Sequence, residues 1–484
     1  MKEFAKGTFG AQIIQHHEKY LGLPPLIGRA KEKAFNCIKD QVGRKIAGWK
    51  GKLLSNAGRE VLIKEVAQAT PTYTMNVFKL PDSLYLELNS MMGGFWWGQR
   101  GREKKMAWVF WKNLCKPKVD GGMGFRDLKT FNLALLAKQG WRLHQNPNSL
   151  AHRVQKAKYF SDSSFMEAQL GKKPSYIWRS IMAAKNIIKE GSRWVVGDGR
   201  SIELWDARWL PLTASSKVMT TRTGSVQGER AASLISHERG EWRTTLVQQT
   251  FLPYEAEEIL SIPLSSMNLA DSLVWAETPN GCFTVKSAYR TAVKCIVETR
   301  EGEANPECSD KSRMSTIWKT IWGLQCLNKI KHFLWRACRG ILPTKKCLAH
   351  RKIMKDDCCD FCGESETSGH CLWNCIIAKE VWKGLGFNID NPVHATVEFL
   401  DVVWLLLESQ GDKDWELFAI VAWCLWNNRN TVRHGGVSKQ GKTITEEARR
   451  YREEVRTALP SKGQVPRPML NTNISPLLRR TGIR

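Results

Sequence analysis

The spacing of three cysteines and one histidine constrains this chain most. Cys359, Cys362, His370 and Cys375 follow the pattern Cys-x2-Cys-x7-His-x4-Cys. The two-residue gap lets one tight turn aim two thiolates at one metal ion, and the four-residue gap places the other two ligands about one helical turn apart. Three thiolates and one imidazole fill a tetrahedral zinc shell and leave no position for a substrate water. The pattern therefore predicts a closed, structural zinc site.

Two alternatives to this reading stay open. Cys359 and Cys362 are also spaced as a redox pair, although such a pair normally lies beside a βαβ unit, which the sequence does not indicate. Cys358 and Cys371 are close enough to replace a ligand, with poorer spacing. The chain has 14 cysteines and no apolar leader. We therefore expect a reducing, intracellular location, in the nucleus or cytoplasm, rather than secretion.

A strongly basic segment, residues 329–355, lies directly upstream of these cysteines. It contains nine basic side chains and no acidic one. A helical wheel places Trp335 among charged residues rather than on the apolar face. An aromatic ring between cations suits base stacking beside phosphate contact, whereas the alternative is that Trp335 packs inside the protein. The predicted nucleic-acid-binding residues are Lys329, Lys331, Trp335, Arg336, Arg339, Lys345, Lys346, Arg351 and Lys352.

The net charge of +26 is concentrated at the two ends of the chain. Residues 1–160 hold 28 Lys/Arg against 11 Asp/Glu, and residues 429–484 hold 13 against 4, so the middle carries none of the excess. Two basic ends around a neutral centre predict a polyanionic partner, RNA or DNA, contacted in more than one place. The alternative is a surface charge that serves solubility. No apolar run approaches the length of a membrane span, so no membrane partner is expected.

Apolar spacing indicates the fold class. Steps of three and four residues predict helices at 31–42, 55–69, 127–143, 317–324, 328–340, 378–385, 397–407 and 417–428. A period of two predicts β-hairpins around Gly197-Asp198-Gly199 and around Pro279-Asn280-Gly281. Residues 212–250 resemble an interdomain linker, and residues 301–313 a surface insertion. The predicted fold is mainly α with small β-hairpins (α+β).

Catalytic motifs are not evident in the sequence. A template-directed polymerase holds Mg²⁺ with two or three carboxylates, one pair usually in a tight hairpin between apolar strands. The adjacent Asp356 and Asp357 follow a basic run and precede the zinc cysteines, which is the wrong setting. The sequence also lacks a nucleophile elbow, an HExxH motif and a dinucleotide fingerprint. We therefore expect no catalytic residues in this chain.

In order along the chain, its motifs resemble the post-polymerase region of plant LINE-type, non-LTR retrotransposon reverse transcriptases. Residues 20–24 look like the last strand of the polymerase palm. The region after them is similar to the family's thumb-side helices, and the later part to its reverse-transcriptase zinc-binding domain. The matching segments are 48–50, 54–60 with 62–64, 95–98, 121–128, 174–180 and 193–211, then 281–289, 318–319, 329–331 with 333–337, 342–344, the Cys/His set and 381–382.

This resemblance implies a division of the chain. It gives a thumb-like helical region at 1–160, a connecting region with a β-hairpin and linker at 161–269, and the zinc-binding domain at 270–390. In the family, the equivalent of the helical segment at 391–462 precedes a ribonuclease H-like domain, which we expect to be absent here, and residues 463–484 are expected to be a disordered basic tail. In the family the Mg²⁺-binding aspartates lie upstream of the equivalent of Tyr20, so no polymerase role is carried over to a residue here.

The sequence thus predicts a zinc-dependent nucleic-acid-binding fragment of a non-LTR reverse transcriptase, without the catalytic aspartates. The family activity would be RNA-directed DNA polymerase. A protein-interaction module, or a decayed retroelement remnant without independent activity, is the alternative.

Overall fold

Helices build most of the chain, as the apolar spacing predicts. The computed structural model describes residues 22–24, 27–28, 31–50, 54–99, 106–211, 215–222, 230–236, 238–264, 269–298, 308–387, 398–409 and 413–458. The strands within these ranges form two antiparallel sheets of two strands each. The predicted fold class, mainly α with small β elements, is confirmed.

The elements follow one another in a simple order. The first part contains α1 Lys31–Lys50, α2 Asn56–Leu62 with a π-helical turn Ile63–Ala67, α3 Thr72–Met75, α4 Asp82–Trp96, α5 Trp111–Leu114, α6 Leu128–Gln145, α7 Leu150–Tyr159, α8 Tyr176–Ala183, α9 Lys185–Gly191, β1 Ser192–Val195, β2 Ile235–Ser236, β3 Glu241–Trp242, α10 Thr244–Thr250, α11 Pro253–Ser261, β4 Ser272–Trp275 and α12 Val285–Glu298. The second part contains α13 Cys308–Gly323, α14 Asn328–Cys338, α15 Lys345–His350, a π-helical turn His370–Asn374, α16 Ile376–Gly384, α17 Phe399–Glu408, α18 Trp415–Arg433 and α19 Gly441–Ala458.

Contacts divide the chain into two compact units. Unit one comprises Met1–Lys52, Val61–Lys105 and Arg126–Pro306. Unit two comprises Leu53–Glu60, Met106–Phe125 and Glu307–Arg484. The boundaries predicted at residues 160 and 270 both lie inside unit one, and unit two takes in two short segments from the N-terminal part of the chain.

A buried amide joins the helices of unit one. Asn132, on α6, is fully buried; its Oδ1 accepts from the Leu80 N–H at 2.9 Å and the Tyr85 hydroxyl at 2.5 Å. Its Nδ2 donates to the carbonyls of Met75 at 2.7 Å and Phe78 at 3.0 Å. Every hydrogen-bonding group of this amide has a partner, which is what burial of a polar side chain requires. Asn132 thus fixes α6 to the turn between α3 and α4.

Tryptophans form the larger core of unit one. Trp178, on α8, and Trp275, on β4, are both 0% exposed, and they pack with Trp141 of α6 in one apolar cluster. The Trp275 indole donates to Ser287 Oγ at 2.7 Å, so its polar atom is satisfied inside the core. This cluster gathers α6, α8, α9, β4 and the start of α12.

The two predicted hairpins are wrong in their strand pairing. β1 pairs with β4 across about 80 residues, from Ser192 opposite Trp275 to Val195 opposite Ser272. The loop after β1 is held by Asp271 instead, whose carboxylate accepts the N–H groups of Gly197 at 2.7 Å and Gly199 at 2.9 Å. The turn signals indicate pairing between apolar segments that are neighbours in the sequence, whereas β1 pairs with the distant strand β4.

Residues 212–250 do not form the predicted linker along their described part. Leu234 and Val247 are both 0% exposed and belong to a second apolar cluster of unit one. β2 and β3 form a local hairpin there, with Ile235 opposite Trp242. The weak periodicity arises because short elements alternate, not because the segment lacks a core. Most of residues 301–313 and all of 463–484 lie outside the described residues.

Unit two is a helical core around stacked aromatic rings. Phe418, on α18, stacks on Phe399 of α17 with centroids 5.8 Å apart and on Trp382 of α16 at 5.0 Å. The predicted helices at 317–324, 328–340, 378–385, 397–407 and 417–428 are all present as α13, α14, α16, α17 and α18, and α19 is an additional one. Along the described part of the chain, every helix is too short or too polar to cross a bilayer.

Candidate zinc centre and nucleic-acid interface

A tight turn carries the first two predicted zinc ligands. The Cys359 N–H donates to the Glu364 carbonyl at 2.7 Å, and the Gly363 N–H donates to the Cys359 carbonyl at 3.0 Å. Gly363 has a φ of 78°, a left-handed conformation that a glycine adopts without steric cost. The backbone N–H groups of Phe361 and Cys362 favour the Cys359 thiolate, whereas burial raises the pKa of Cys362 and the backbone N–H of Glu364 opposes that shift. Such donors stabilise thiolates, the form of cysteine that binds metal.

A π-helical turn carries the other two ligands. His370 begins it, and its N–H donates to Thr367 Oγ1 at 2.9 Å. Cys375 follows the turn, with its N–H on the His370 carbonyl at 2.8 Å. Cys375 is also the residue immediately before α16, so it stands at the positive end of that helix, which favours a thiolate. Both ligands are thus fixed by hydrogen bonds of the main chain.

The four side chains meet at one point, which we name the zinc cluster (Cys359, Cys362, His370 and Cys375). Their ligand atoms all lie within 4.8 Å of one another. The Cys359 and Cys375 sulfurs are 3.8 Å apart, and Cys362 Sγ is 3.2 Å from His370 Nε2. Zinc–sulfur bonds of about 2.3 Å in a tetrahedron require sulfurs about 3.8 Å apart. The spacing of the cluster therefore fits one tetrahedral ion.

The donor atoms themselves also favour a cation. Cys359 and Cys375 share one hydrogen bond between their sulfurs, and this contact lowers the pKa of Cys359 and raises the pKa of Cys375. One thiolate is therefore stabilised by a neighbouring thiol in a largely buried site. A divalent cation would replace that shared proton and stabilise all the thiolates together.

The alternative ligands, Cys358 and Cys371, are not members of the group of four ligand atoms. Cys371 is buried, and burial raises its pKa well above that of an ordinary thiol, which disfavours the thiolate. Cys358 belongs to a second group with Asp356 and Asp357 that could hold a cation, a common arrangement of exposed acidic side chains. Cys358 and Cys371 therefore compete poorly as zinc ligands.

A buried ion pair joins the segment between the two pairs of zinc ligands to α18. Glu366 is 0% exposed and lies between the two pairs of ligands in the sequence. Its carboxylate receives a bidentate contact from the guanidinium of Arg429, on α18, with the Arg429 Nε at 3.1 Å. The same carboxylate accepts the Lys345 N–H at 2.7 Å. Sequence reasoning missed this pair because 63 residues separate its members, and neither stands in a recognisable motif.

Burial corrects the predicted role of Trp335. Its side chain is 1% exposed, and its indole N–H donates to the Gly121 carbonyl at 2.9 Å. The ring is therefore core and is not available to stack on a base. The helical wheel assumed a single apolar face for α14, but α14 is packed on more than one side. His332, on the same supposedly polar side, is 2% exposed and lies 3.0 Å from Glu60.

The predicted cations differ widely in accessibility. Lys345 is buried, and although burial opposes its charge, its contact with Asp360 at 2.5 Å raises its pKa. Lys331 is half-buried and donates to the Trp322 carbonyl at 3.2 Å. Arg336 and Arg339 are half-buried, and burial lowers the pKa of both. The side chains of these four residues are partly or wholly buried.

The remaining predicted cations lie on the surface of unit two. Lys329 is exposed above the Trp423 ring, with its Nζ 4.6 Å from the ring centroid. Arg351 is exposed and lies 4.7 Å over Trp108, a contact between segments that the sequence did not associate. Lys346 and Lys352 are exposed as well. Of the nine predicted interface residues of the basic segment, the structure leaves a smaller accessible set, which is Lys329, Lys346, Arg351 and Lys352.

Comparisons with known proteins agree with this site. Residues 283–382 match the family model described as zinc-binding in reverse transcriptase, which includes the whole zinc cluster. A putative ribonuclease H protein of Arabidopsis thaliana is 28% identical over 370 residues, covering 74% of this chain and 57% of that protein. An uncharacterized mitochondrial protein of the same plant is 43% identical over 143 residues, covering 29% of this chain and 93% of that protein.

The chain belongs to the retrotransposon reverse transcriptases of plants. Zinc is the cofactor of the reverse-transcriptase zinc-binding domain, and the zinc cluster is a group of side chains suited to hold it. The chain spans little more than half the length, 57%, of the ribonuclease H relative. The activity of the whole reverse-transcriptase polyprotein is therefore not assigned to this chain by the similarity.

Proposed function

We propose that this chain is a zinc-dependent nucleic-acid-binding part of a LINE-type, non-LTR retrotransposon reverse transcriptase. The observation that carries the proposal is the basic segment, which has nine cations and no acid and ends beside the zinc cluster. Zinc would fix the turn and α16, and the exposed cations would contact backbone phosphates of RNA or DNA. The half-buried Arg336 and Arg339 would gain a counter-charge from the same phosphates.

The salt dependence of binding tests this proposal. If about five phosphates are neutralised, the log–log slope should be about −3.5 for single strands and about −4.5 for duplex. Reversing Lys346, Arg351 and Lys352 to glutamate should make the single-strand slope shallower by about 2, because three phosphate contacts are lost. Fluorescence anisotropy with a labelled oligonucleotide at four or five salt concentrations measures both quantities.

A matched control separates a local contact from a general charge effect. Lys379, Lys383 and Lys442 are exposed in unit two and lie outside the basic segment. Reversing these three makes the same change in net charge and should leave the slope nearly unchanged. A flat salt response of the wild type, or equal effects of the two triple variants, would contradict the proposal. The second outcome would favour a protein-interaction module.

We further propose that the chain has no polymerase activity of its own and acts in the nucleus or cytoplasm. Asp356 and Asp357, the acidic pair next to the zinc cluster, take part in local contacts: Asp356 accepts the Cys358 N–H at 2.9 Å and Asp357 accepts the Ser365 hydroxyl at 2.7 Å. These contacts support a role in shaping the turn. Primer extension with purified chain, an RNA template and Mg²⁺ should yield no product, and extension abolished by Asp356→Asn would overturn this part of the proposal. A decayed remnant would give no folded product.

A further inference from the structure

A cavity in unit one has the composition of a nucleotide-binding site. Its volume is about 630 Å³, within the range of roughly 300–1,000 Å³ that is usual for small-molecule sites. It is lined by the N-terminus of α1, the segment between α3 and α4, and α8. Its walls carry three cations, Lys31, Lys79 and Arg179, and one aromatic ring, Tyr176. The zinc cluster and the basic segment belong to unit two, so this cavity is separate from the site described above.

The segment 174–180 builds one wall of the cavity. Ser175 caps α8, with its Oγ accepting from the Trp178 N–H at 3.2 Å, and Trp178 is fully buried in the core. Ser180, also buried, accepts the Lys79 N–H at 2.9 Å, while the Tyr176 hydroxyl donates to the Lys79 carbonyl at 2.5 Å. These contacts fix Tyr176 and the main chain of Lys79 in place. The wall is therefore preformed rather than dependent on a ligand.

The charge of the cavity is positive and is only partly compensated. Its one lining carboxylate, Asp82, is engaged in an ion pair with Lys129 at 3.0 Å. Arg179 is exposed, and its guanidinium donates to the Pro174 carbonyl at 3.2 and 3.3 Å. These bonds occupy two of its N–H donors, and because the carbonyl is neutral they do not compensate the positive charge. Lys31 is exposed as well, with Nζ 5.5 Å from the Tyr176 ring centroid. An anion entering the cavity would meet these cations without displacing a carboxylate from them.

The rest of the lining is apolar. Leu80, Leu170 and Met182 contribute to it, and the Tyr176 ring packs at one edge against Phe78, with centroids 5.9 Å apart. A ligand that fits must therefore combine a flat, apolar part with a strong negative charge. A nucleotide combines these two properties, because its base can pack on an apolar and aromatic wall while its phosphate binds Lys or Arg.

We infer that the cavity binds one nucleotide of a single-stranded polynucleotide, with its phosphate on Lys79, Arg179 and Lys31 and its base against Tyr176. This inference rests on the proposed function, because it assumes that the chain binds nucleic acid. It adds a contact in unit one to the basic segment of unit two. It also selects single strands, since a paired base cannot leave its stack to enter a cavity without the cost of unpairing.

Charge reversal in the cavity gives the first test. The double variant Lys79→Glu, Arg179→Glu should weaken binding of a fluorescein-labelled 20-residue oligothymidylate on the order of tenfold at 0.1 M salt and reduce the salt slope by about 1.4. The control is Lys286→Glu, Arg290→Glu, a Lys/Arg pair exposed on α12 of the same unit. Circular dichroism establishes that both variants are folded. Equal effects of the two double variants would overturn the cavity site.

A crosslinking experiment tests the base contact separately from charge. An oligonucleotide carrying 5-iodouracil should crosslink on irradiation to the tryptic peptide that contains Tyr176, and Tyr176→Leu should abolish that crosslink while leaving the salt slope unchanged. Thymidine monophosphate should compete for the crosslink better than inorganic phosphate, whereas equal competition would reduce the cavity to a phosphate site and contradict the base contact.

The outcomes separate this inference from the proposed function. If the wild type binds no oligonucleotide, both fail. If it binds, and only the reversals in the basic segment weaken binding while crosslinks avoid Tyr176, the cavity inference fails alone and the proposed function stands.

Discussion

Trp335 is a core residue, although its charged neighbours in the sequence suggest an exposed position. Its ring is 1% exposed and its indole N–H is bonded to the buried Gly121 carbonyl. Trp335→Phe should lower the free energy of unfolding by about 1–3 kcal/mol, because that carbonyl loses its donor inside the core. Urea denaturation followed by circular dichroism measures the change.

The comparison for this variant is Trp108→Phe. Trp108 is half-buried beneath the Arg351 guanidinium, so the change should cost less than about 1 kcal/mol. The folded Trp335→Phe protein should bind nucleic acid like the wild type. A loss of binding at full stability would restore the stacking role that the helical wheel predicted.

Glu366 is the second residue whose removal should be costly. It is fully buried and pairs with Arg429, whose side chain is also buried. Glu366→Ala leaves a buried guanidinium without its counter-charge, which typically costs about 3–5 kcal/mol. The exposed pair Lys439–Glu447 provides the control, since Glu447→Ala should cost no more than about 1 kcal/mol. Equal effects in urea denaturation would show that the buried pair does not support unit two.

The sequence predicts well those helices whose capping residue and apolar spacing lie close together in the chain. The helices predicted at 127–143 and 55–69 begin where capping side chains stand: Asp127 Oδ1 accepts from the Thr130 N–H at 2.8 Å, and Ser55 Oγ from the Gly58 N–H at 3.2 Å. A cap and an apolar period lie within one turn of each other, so the sequence contains the whole signal. The pairing of β1 with β4 lacks such a signal, because the partner of Trp194 is Leu273, far along the chain.

The pairing of β1 with β4 requires that residue 191 is a glycine, which has no side chain. A Cβ at Gly191, at the end of α9, would lie 2.1 Å from the Trp275 ring. Gly191→Ala should therefore destabilise unit one by about 1–3 kcal/mol, because the Trp275 ring has to move within a packed core. Thermal unfolding by circular dichroism gives the shift.

The matched substitution is Gly48→Ala on the exposed side of α1. Apart from its chain neighbours and the backbone of its own helix, no described atom lies within 4 Å of its added Cβ, so this variant should gain up to about 1 kcal/mol from the lower entropy of the unfolded chain. The two alanines should thus have opposite effects. A neutral Gly191→Ala would mean that α9 and β4 are not packed as described.

At the scale of the whole molecule, the sequence predicts the zinc cluster better than its surroundings. The four ligands lie within 17 residues of one another, and a local turn and a π-helical turn are enough to bring them together. Arg429, Trp108 and Gly121 complete unit two from distant positions, and spacing alone cannot indicate them. The same distinction explains why the sequence shows the charge of residues 329–355 directly but does not indicate the burial of Trp335 and Lys345.

The proposed function depends on zinc holding the nucleic-acid-binding part of unit two together. A structural zinc site typically contributes about 10–16 kcal/mol of apparent binding free energy, enough to decide whether a small domain is folded. Loss of one ligand should therefore remove both the metal and the surface that carries Lys346, Arg351 and Lys352. Cys358, which is exposed and outside the zinc cluster, provides a control one residue away from Cys359.

The most direct test measures zinc content and single-strand affinity on the same preparations of wild type, Cys362→Ser and Cys358→Ser. Metal content is determined by plasma mass spectrometry and affinity by fluorescence anisotropy. We predict about one zinc per chain and salt-dependent binding for the wild type and Cys358→Ser, and the loss of both for Cys362→Ser. Zinc retained by Cys362→Ser, or zinc lost with affinity intact, would contradict the proposed function.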